Sequence, residues 1–172
     1  STMTGKSIMR QAADRVARIS LELGGKSPFI VFDDADLDRA IPAVAMGIFA
    51  NSGQVCAAGS RLFVQSGVYD RFIEGLAQFA AGLRLGAGEE EGHHLGPLIS
   101  AAQKAKVEGY IASALSDGAR MVFQGDCPQG QGHFVAPTIL DQCTPEMRAV
   151  REEIFGPVLC VMRFDDDADL AT

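Results

Sequence analysis

The chain has 172 residues, enough for one domain with a sizeable core, and at 47% hydrophobic and 22% charged it has the composition of a globular protein, not a disordered one. Its 22 acidic against 15 basic residues leave a net charge of −7, which argues against nucleic acid or an anionic membrane as partner, since both demand basic patches. The longest apolar run, Ala40 to Ala50, is about half the ~20 residues of a membrane span, and Pro42 and Gly47 interrupt it.

No basic segment followed by an apolar stretch opens the chain, so no secretory signal is read and the expected location is the cytoplasm. Residues 3–19 place Met3, Ile8, Ala12, Val16 and Ile19 at helical intervals. "SPFIVF" (27–32), bounded by Gly24-Gly25 and Asp33-Asp34, reads as a buried strand. "DADLDRAIPAVAMGIFAN" returns to helix with an aspartate as N-cap. "RLFVQ" (61–65) reads as a strand, and 68–82 as a helix with Val68, Phe72, Leu76 and Phe79 on one stripe. "GHHLGPLI" is a loop, and 100–116 a helix with Val107, Ile111, Ala114 and Leu115 inward. "RMVFQG" (120–125), "HFVAPTIL" (133–140) and "PVLCVMRF" (157–164) are further strands, with "CPQGQGH" (127–133) a glycine-rich turn. Strands alternating with long helices predict an α/β fold with a mostly parallel sheet and flanking helices.

The opening on Ser1 within a helical pattern, and the close on "DDDADLAT", read as the first turn of an unfinished helix, predict a piece of a longer protein. Cys56, Cys127, Cys143 and Cys160 have no CxxC spacing and no histidines at metal-ligand intervals. They are expected to be reduced thiols with no metal among them, Cys160 in a buried strand and Cys127 and Cys143 reachable in or near loops.

"NSGQVCAAGS" (51–60) sets Cys56 among Gly, Ser and Ala. Small neighbours leave room for a substrate carbonyl, and backbone N–H groups of a tight loop can form part of an oxyanion hole. Taken alone, such a cysteine is more often a packing residue. "LELGGKSP" (21–28) sets Glu22 between two leucines before a Gly-Gly turn, an apolar setting that raises a carboxyl toward general-base use. The alternative for Glu22 alone is a solvated residue at a helix end.

Together, "LELGGKSP", "FANSGQVCAAGS" with its thiol 34 positions after the acid, "HFVAPTIL" and "EEIFGPVL" (152–159) resemble the NAD(P)-dependent aldehyde dehydrogenase superfamily. The resemblance implies that residues 1–22 are the last helix of a Rossmann-type cofactor domain and 23–172 a catalytic domain incomplete at its end. It implies that Cys56 is the nucleophile, forming a thiohemiacetal and then a thioester, and that Glu22 is the base activating the hydrolytic water. Glu153 would bind the nicotinamide ribose, Phe155 pack near that ring, and the Leu23 carbonyl meet the carboxamide. Gln103 would sit near the adenosine ribose, and Ser1 to Gly5 match the tail of the pyrophosphate-side glycine motif. NAD or NADP, an aldehyde substrate and a homo-oligomeric parent, dimer or tetramer, are implied in the same way. "GQVCAAGSR" with "GQGHFVAPT" looks closest to phenylacetaldehyde- and betaine-aldehyde-type members.

The family's oxyanion asparagine, its Rossmann strands and the lysine on the adenosine ribose have no counterpart in these residues. The 172 residues alone are therefore expected to show no dehydrogenase turnover, and a catalytically silent folding or interaction unit stands as the alternative. "STMTGKS" ends like a P-loop, but it lacks the earlier glycine and a preceding strand. "DDADLD" suggests a calcium loop, yet Arg39 stands where glycine and Ala45 where the bidentate acid is required. His93-His94 reads as an exposed loop pair and Asp165 to Asp167 as a solvated cap.

Overall fold

A computed structural model describes residues 1–128, 131–166 and 168–171. Five strands form one sheet, β1 (Pro28–Val31), β2 (Arg61–Gln65), β3 (Arg120–Gln124), β4 (Thr138–Asp141) and β5 (Val158–Phe164), in the order β1-β2-β5-β4-β3. The β1–β2, β2–β5 and β4–β5 pairs are parallel, and β3 joins β4 antiparallel. The helices are α1 (Thr2–Ala13), α2 (Leu37–Phe49), α3 (Tyr69–Ala81), α4 (Ala101–Ser116) and the single turn α5 (Arg148–Arg151).

Strand alternation divides the core in two. Leu62, Val64, Ile139, Leu159 and Val161 point to α2 and α3, where Ile48, Phe49, Phe72 and Leu76 are fully buried. Leu140, Val158, Cys160 and Met162 point to the other face and pack on Val107, Tyr110, Ile111 and Ala114 of α4 and on Ala149 and Val150 of α5. Each such side chain taken out of water contributes about 1.5–3 kcal/mol.

Several expectations are corrected. α1 stops at Ala13 instead of reaching 19, because only Gly5 and Ala12 of it are buried and Ile8, Val16 and Ile19 stay exposed. A helix without a packed face has little beyond propensity to extend it. The "GKS" tripeptide lies inside that helix, in keeping with its rejection as a P-loop. Asp36 occupies the N-cap of α2, but its side chain makes no capping bond. On α4, Leu115 is exposed and Tyr110 takes the inward place. Strand pairing in "HFVAPTIL" begins only at Thr138, since Pro137 has no N–H to donate. Asp165 and Asp166 are exposed, and their backbone N–H groups donate to the Asp169 carboxylate at 2.8 and 3.4 Å. Asp167, and Gln129 and Gly130 of the glycine-rich turn, lie outside the described residues. Among the described residues no helix is long and apolar enough to cross a membrane.

Strand β1 is an edge with apolar side chains beside it, Ile30 being 46% and Phe32 39% exposed. Unpaired strand N–H and C=O groups next to such a surface favour pairing with another chain. The 172-residue chain should therefore associate at tens of micromolar, on the order expected for an uncovered edge. Sedimentation velocity checks this, and a well-dispersed monomer across that range would contradict it.

Candidate active site

The three motif-bearing segments each lead into one of three neighbouring parallel strands. Glu22 and Leu23 precede β1, Cys56 precedes β2, and Glu153 and Phe155 precede β5. Because β1, β2 and β5 run the same way, their approaches meet at the amino-terminal edge of the sheet. Open α/β sheets more commonly bind ligands at the carboxyl edge. In this chain a cleft of about 360 Å³ lies at the amino-terminal edge, lined by Ser1, Glu22, Leu23, Gly24, Cys56, Gln103, Lys106, Glu153 and Phe155. Seven of the eight residues singled out from the sequence thus share one cleft. Gly5 does not. It is buried in α1, where a Cβ would come within 3.1 Å of Leu23 Cδ2, so it lets the helix approach the 21–23 segment.

The surroundings of Cys56 account for its small neighbours. Asn51, Ser52 and Gly53 have φ of 51°, 55° and 69°, three left-handed residues that swing the chain out of α2. A Cβ on Gly53 would lie 2.1 Å from the Gly156 carbonyl oxygen, so this glycine brings the nucleophile loop against the "FGP" segment. At Gly59 a Cβ would meet the Phe29 ring at 2.0 Å. Cys56 itself is exposed, at the corner of a turn closed by the Ala58 N–H donating to Val55 O at 3.0 Å. Phe155 is another left-handed residue, φ 58°, and backbone strain of this kind gathers at functional sites.

Polar bonds fix the loops to each other. Gln54 Oε1 accepts from the Ile99 N–H at 3.0 Å, and Ser52 Oγ donates to Gly96 O at 2.7 Å. Ser100 caps α4 by accepting from the Gln103 N–H at 3.1 Å. Gln103 Nε2 then donates to Ile154 O and Phe155 O at 2.9 and 2.8 Å, so its amide N–H groups serve the loop. Lys106 Nζ donates to Glu153 O at 3.0 Å. The two glutamates of "EEIFGP" divide their work. Glu152 accepts from Tyr110 Oη at 2.7 Å and Arg148 Nε at 3.1 Å, contacts that hold its carboxyl below the ordinary range. Glu153 turns to the cleft, where its carboxylate fills the space a Gly24 side chain would take.

Sequence reasoning missed Lys106, Gln54 and Gly24. Lys106 sits three residues after Gln103 on the same face of α4, a spacing that could have found it. Glu22 is exposed in these 172 residues, not enclosed as an apolar setting would have it. His93 and His94 are exposed as expected, His94 Nδ1 accepting from the Arg84 N–H at 3.0 Å.

All of residues 1–172 match the model of the Aldehyde dehydrogenase family. The chain belongs to the aldehyde dehydrogenase family. It is 46% identical over 170 residues to the succinate-semialdehyde dehydrogenase [NADP(+)] GabD of Escherichia coli, covering 99% of this chain and 35% of that protein. It is 43% identical over 174 residues to a betaine aldehyde dehydrogenase of Mesorhizobium japonicum, covering 99% of this chain and 36% of that protein. Among solved structures, an NAD+ complex of an aldehyde dehydrogenase from Bacillus cereus superposes with a TM-score of 0.93 at 44% identity, over 99% of this chain and 35% of that one. This aldehyde dehydrogenase chain therefore spans about a third of the length of such relatives.

The four thiols of this family member differ sharply in access. Cys143, expected to be reachable near a loop, is instead buried, its own backbone N–H donating to Val161 O of β5 at 3.1 Å, and Cys160 is buried in β5. Cys127 is exposed, but burial of its sulfur pushes the thiol up, away from the reactive thiolate. Iodoacetamide at pH 7 should therefore label Cys56 first, about tenfold or more ahead of Cys127. Time-resolved peptide mass spectrometry on folded and urea-unfolded chain reads the order. Labelling of Cys127 first would contradict this order.

Proposed function

We propose that the protein carrying this chain oxidises an aldehyde to its carboxylic acid with NAD or NADP as hydride acceptor. The observation that carries the reading is the meeting of Cys56, Glu22 and Glu153 in one cleft at the starts of three parallel strands. Residues 1–22 would belong to the cofactor-binding unit, which suits the sparse burial of α1, and residues 23–172 to the catalytic unit.

Cys56 Sγ, as thiolate, attacks the aldehyde carbon. The oxygen of the resulting thiohemiacetal meets the Cys56 backbone N–H, which makes no hydrogen bond among the described residues. A bound nicotinamide would supply the acceptor for the hydride of that carbon, and Cys56 Sγ would then hold the acyl group as a thioester. Glu22 takes a proton from water, whose oxygen attacks the thioester carbonyl and releases the acid and the thiolate. The same cleft fits the cofactor. Glu153 would accept from ribose hydroxyls, Phe155 pack beside the ring, the Leu23 carbonyl meet the carboxamide, Gln103 sit near the adenosine ribose, and Ser1 present the start of α1 to a phosphate.

The relatives act on succinic semialdehyde and betaine aldehyde, and the aldehyde of this enzyme would be of that small, polar kind. The assay is reduction of NAD+ and NADP+ by the whole protein across short polar and aromatic aldehydes. Turnover with any of them supports the reading, with none from the 172 residues alone. Absence of turnover by the whole protein with every aldehyde would overturn it in favour of a silent unit.

A further inference from the structure

Two thiols and two cations meet on the α4 face of the sheet, behind the cleft. Leu140 and Cys160 are register partners on β4 and β5, and both point into the second core cluster. Gln142, with φ 56°, adds a left-handed step after β4, and Cys143 returns to the same cluster beside Cys160. The Cys143 N–H donates to Val161 O at 3.1 Å, which fixes the two cysteines side by side. Arg61 is the register partner of Cys160 on β2. Its Nε and Lys26 Nζ are both buried without a hydrogen-bond partner among the described residues. Buried cationic N–H groups left unpaired are costly, and thiolate sulfur is an anion that can compensate them.

The electrostatics of the cluster agree. Cys143 beside it holds Cys160 low, as does the Lys26 charge, against burial; as a thiol, Cys160 Sγ donates to Ala149 O at 3.5 Å. The same neighbour and burial push Cys143 up, and its Sγ donates to Leu140 O at 3.5 Å. Lys26 is lowered by burial, which the charge on Cys160 opposes. Over this face opens a cavity of about 510 Å³ whose lining includes Arg61, Phe63, Val150, Arg151, Met162 and Asp169 but neither sulfur, with room for a small oxidant near the pair.

We propose that Cys143 and Cys160 form a reversible dithiol–disulfide couple, a modification site for small hydroperoxides, which closes the segment bearing Glu153 and Phe155 into a covalent loop. Cys160 thiolate attacks a peroxide oxygen, the O–O bond breaks, and water leaves once the departing hydroxide takes the Cys143 proton. Cys143 thiolate then attacks the sulfenic sulfur of Cys160, forming S–S and releasing hydroxide, which takes back from solvent the proton Cys160 gave up on ionising and leaves as a second water. Two thiols lose two electrons and one hydrogen peroxide gains them. The couple does not depend on the dehydrogenase reading, since neither sulfur lines the cleft.

The test is hydrogen peroxide added to the native protein at pH 7, followed by unfolding, alkylation with N-ethylmaleimide and tryptic mapping. The expected result is a linked Cys143–Cys160 peptide, two hydrogens lighter than the reduced pair and abolished by dithiothreitol. Recovery of both cysteines as alkylated thiols, or only as sulfinic and sulfonic acids, would overturn the proposal. A Lys26→Met variant, its fold checked by circular dichroism, should link about tenfold more slowly, the effect of a one-unit change in thiol acidity. Linking at the unaltered rate would contradict the part assigned to the cation.

Discussion

A Cys56→Ala variant of the whole protein should lose aldehyde-dependent cofactor reduction by on the order of 10⁴-fold or more in kcat, while its affinity for the cofactor changes little. A nucleophile that forms the covalent intermediate has no substitute, and removing such a group commonly leaves only the residual catalysis of binding and oxyanion stabilisation. Cys56 is exposed at the corner of its turn and contributes no core packing, so the loss should come without a loss of fold. Serine in its place should be almost as poor, because an alcohol is a far weaker acid than a thiol and yields almost no alkoxide at neutral pH. Steady-state kinetics with cofactor titration by fluorescence separates the two effects. A variant retaining more than a tenth of the activity would remove Cys56 from the chemistry.

The second large effect is structural. Gly53→Ala should destabilise the fold by about 2–4 kcal/mol, more than most single surface changes. At φ 69° an alanine is strained, and its Cβ would stand 2.1 Å from the Gly156 carbonyl oxygen, a backbone atom that cannot rotate aside. Relief requires the Cys56 loop and the "FGP" segment to part, and Phe155 lies next to that contact. Cofactor affinity should fall with stability for this reason. Urea unfolding followed by circular dichroism reads the first quantity and fluorescence titration the second. An unchanged urea midpoint would mean that the two loops are not in contact in solution.

What the sequence made legible, and what it hid, follow from the range of the interactions. Glu22 and Cys56 stand out as candidates by local signals, flanking leucines with a Gly-Gly turn for one and small neighbours for the other, whereas Glu153 and Phe155 are candidates only through the family resemblance of their segment. That their strands lie in the order β1-β2-β5, and so gather these residues at one edge, is a long-range pairing that no local pattern carries. Gly24 and Gln54 act only through partners far along the chain, the Glu153 carboxylate and the Ile99 N–H, and so looked like ordinary loop residues. Cys143 was misjudged for the same reason. A cysteine after a short strand looks accessible until the left-handed Gln142 turns it inward against Cys160. Leu115 failed in the other direction, because helical periodicity marks an apolar stripe about 100° wide and packing decides which margin of it is covered.

The central claim, that Cys56 carries the acyl group and Glu22 releases it, has a direct test in the Glu22→Gln variant of the whole protein. With the base replaced by an amide, hydride transfer should proceed once and hydrolysis should stall. Mixing the variant with aldehyde and NAD+ or NADP+ should give a burst of reduced cofactor near one equivalent per site, then turnover slowed by about 10²–10⁴-fold. Peptide mass spectrometry of the quenched mixture should find the tryptic peptide containing Cys56 heavier by the mass of the aldehyde less two hydrogens, the signature of a thioester and not of a thiohemiacetal. An acyl group on any other residue, or a burst with Cys56 left unmodified, would contradict the account.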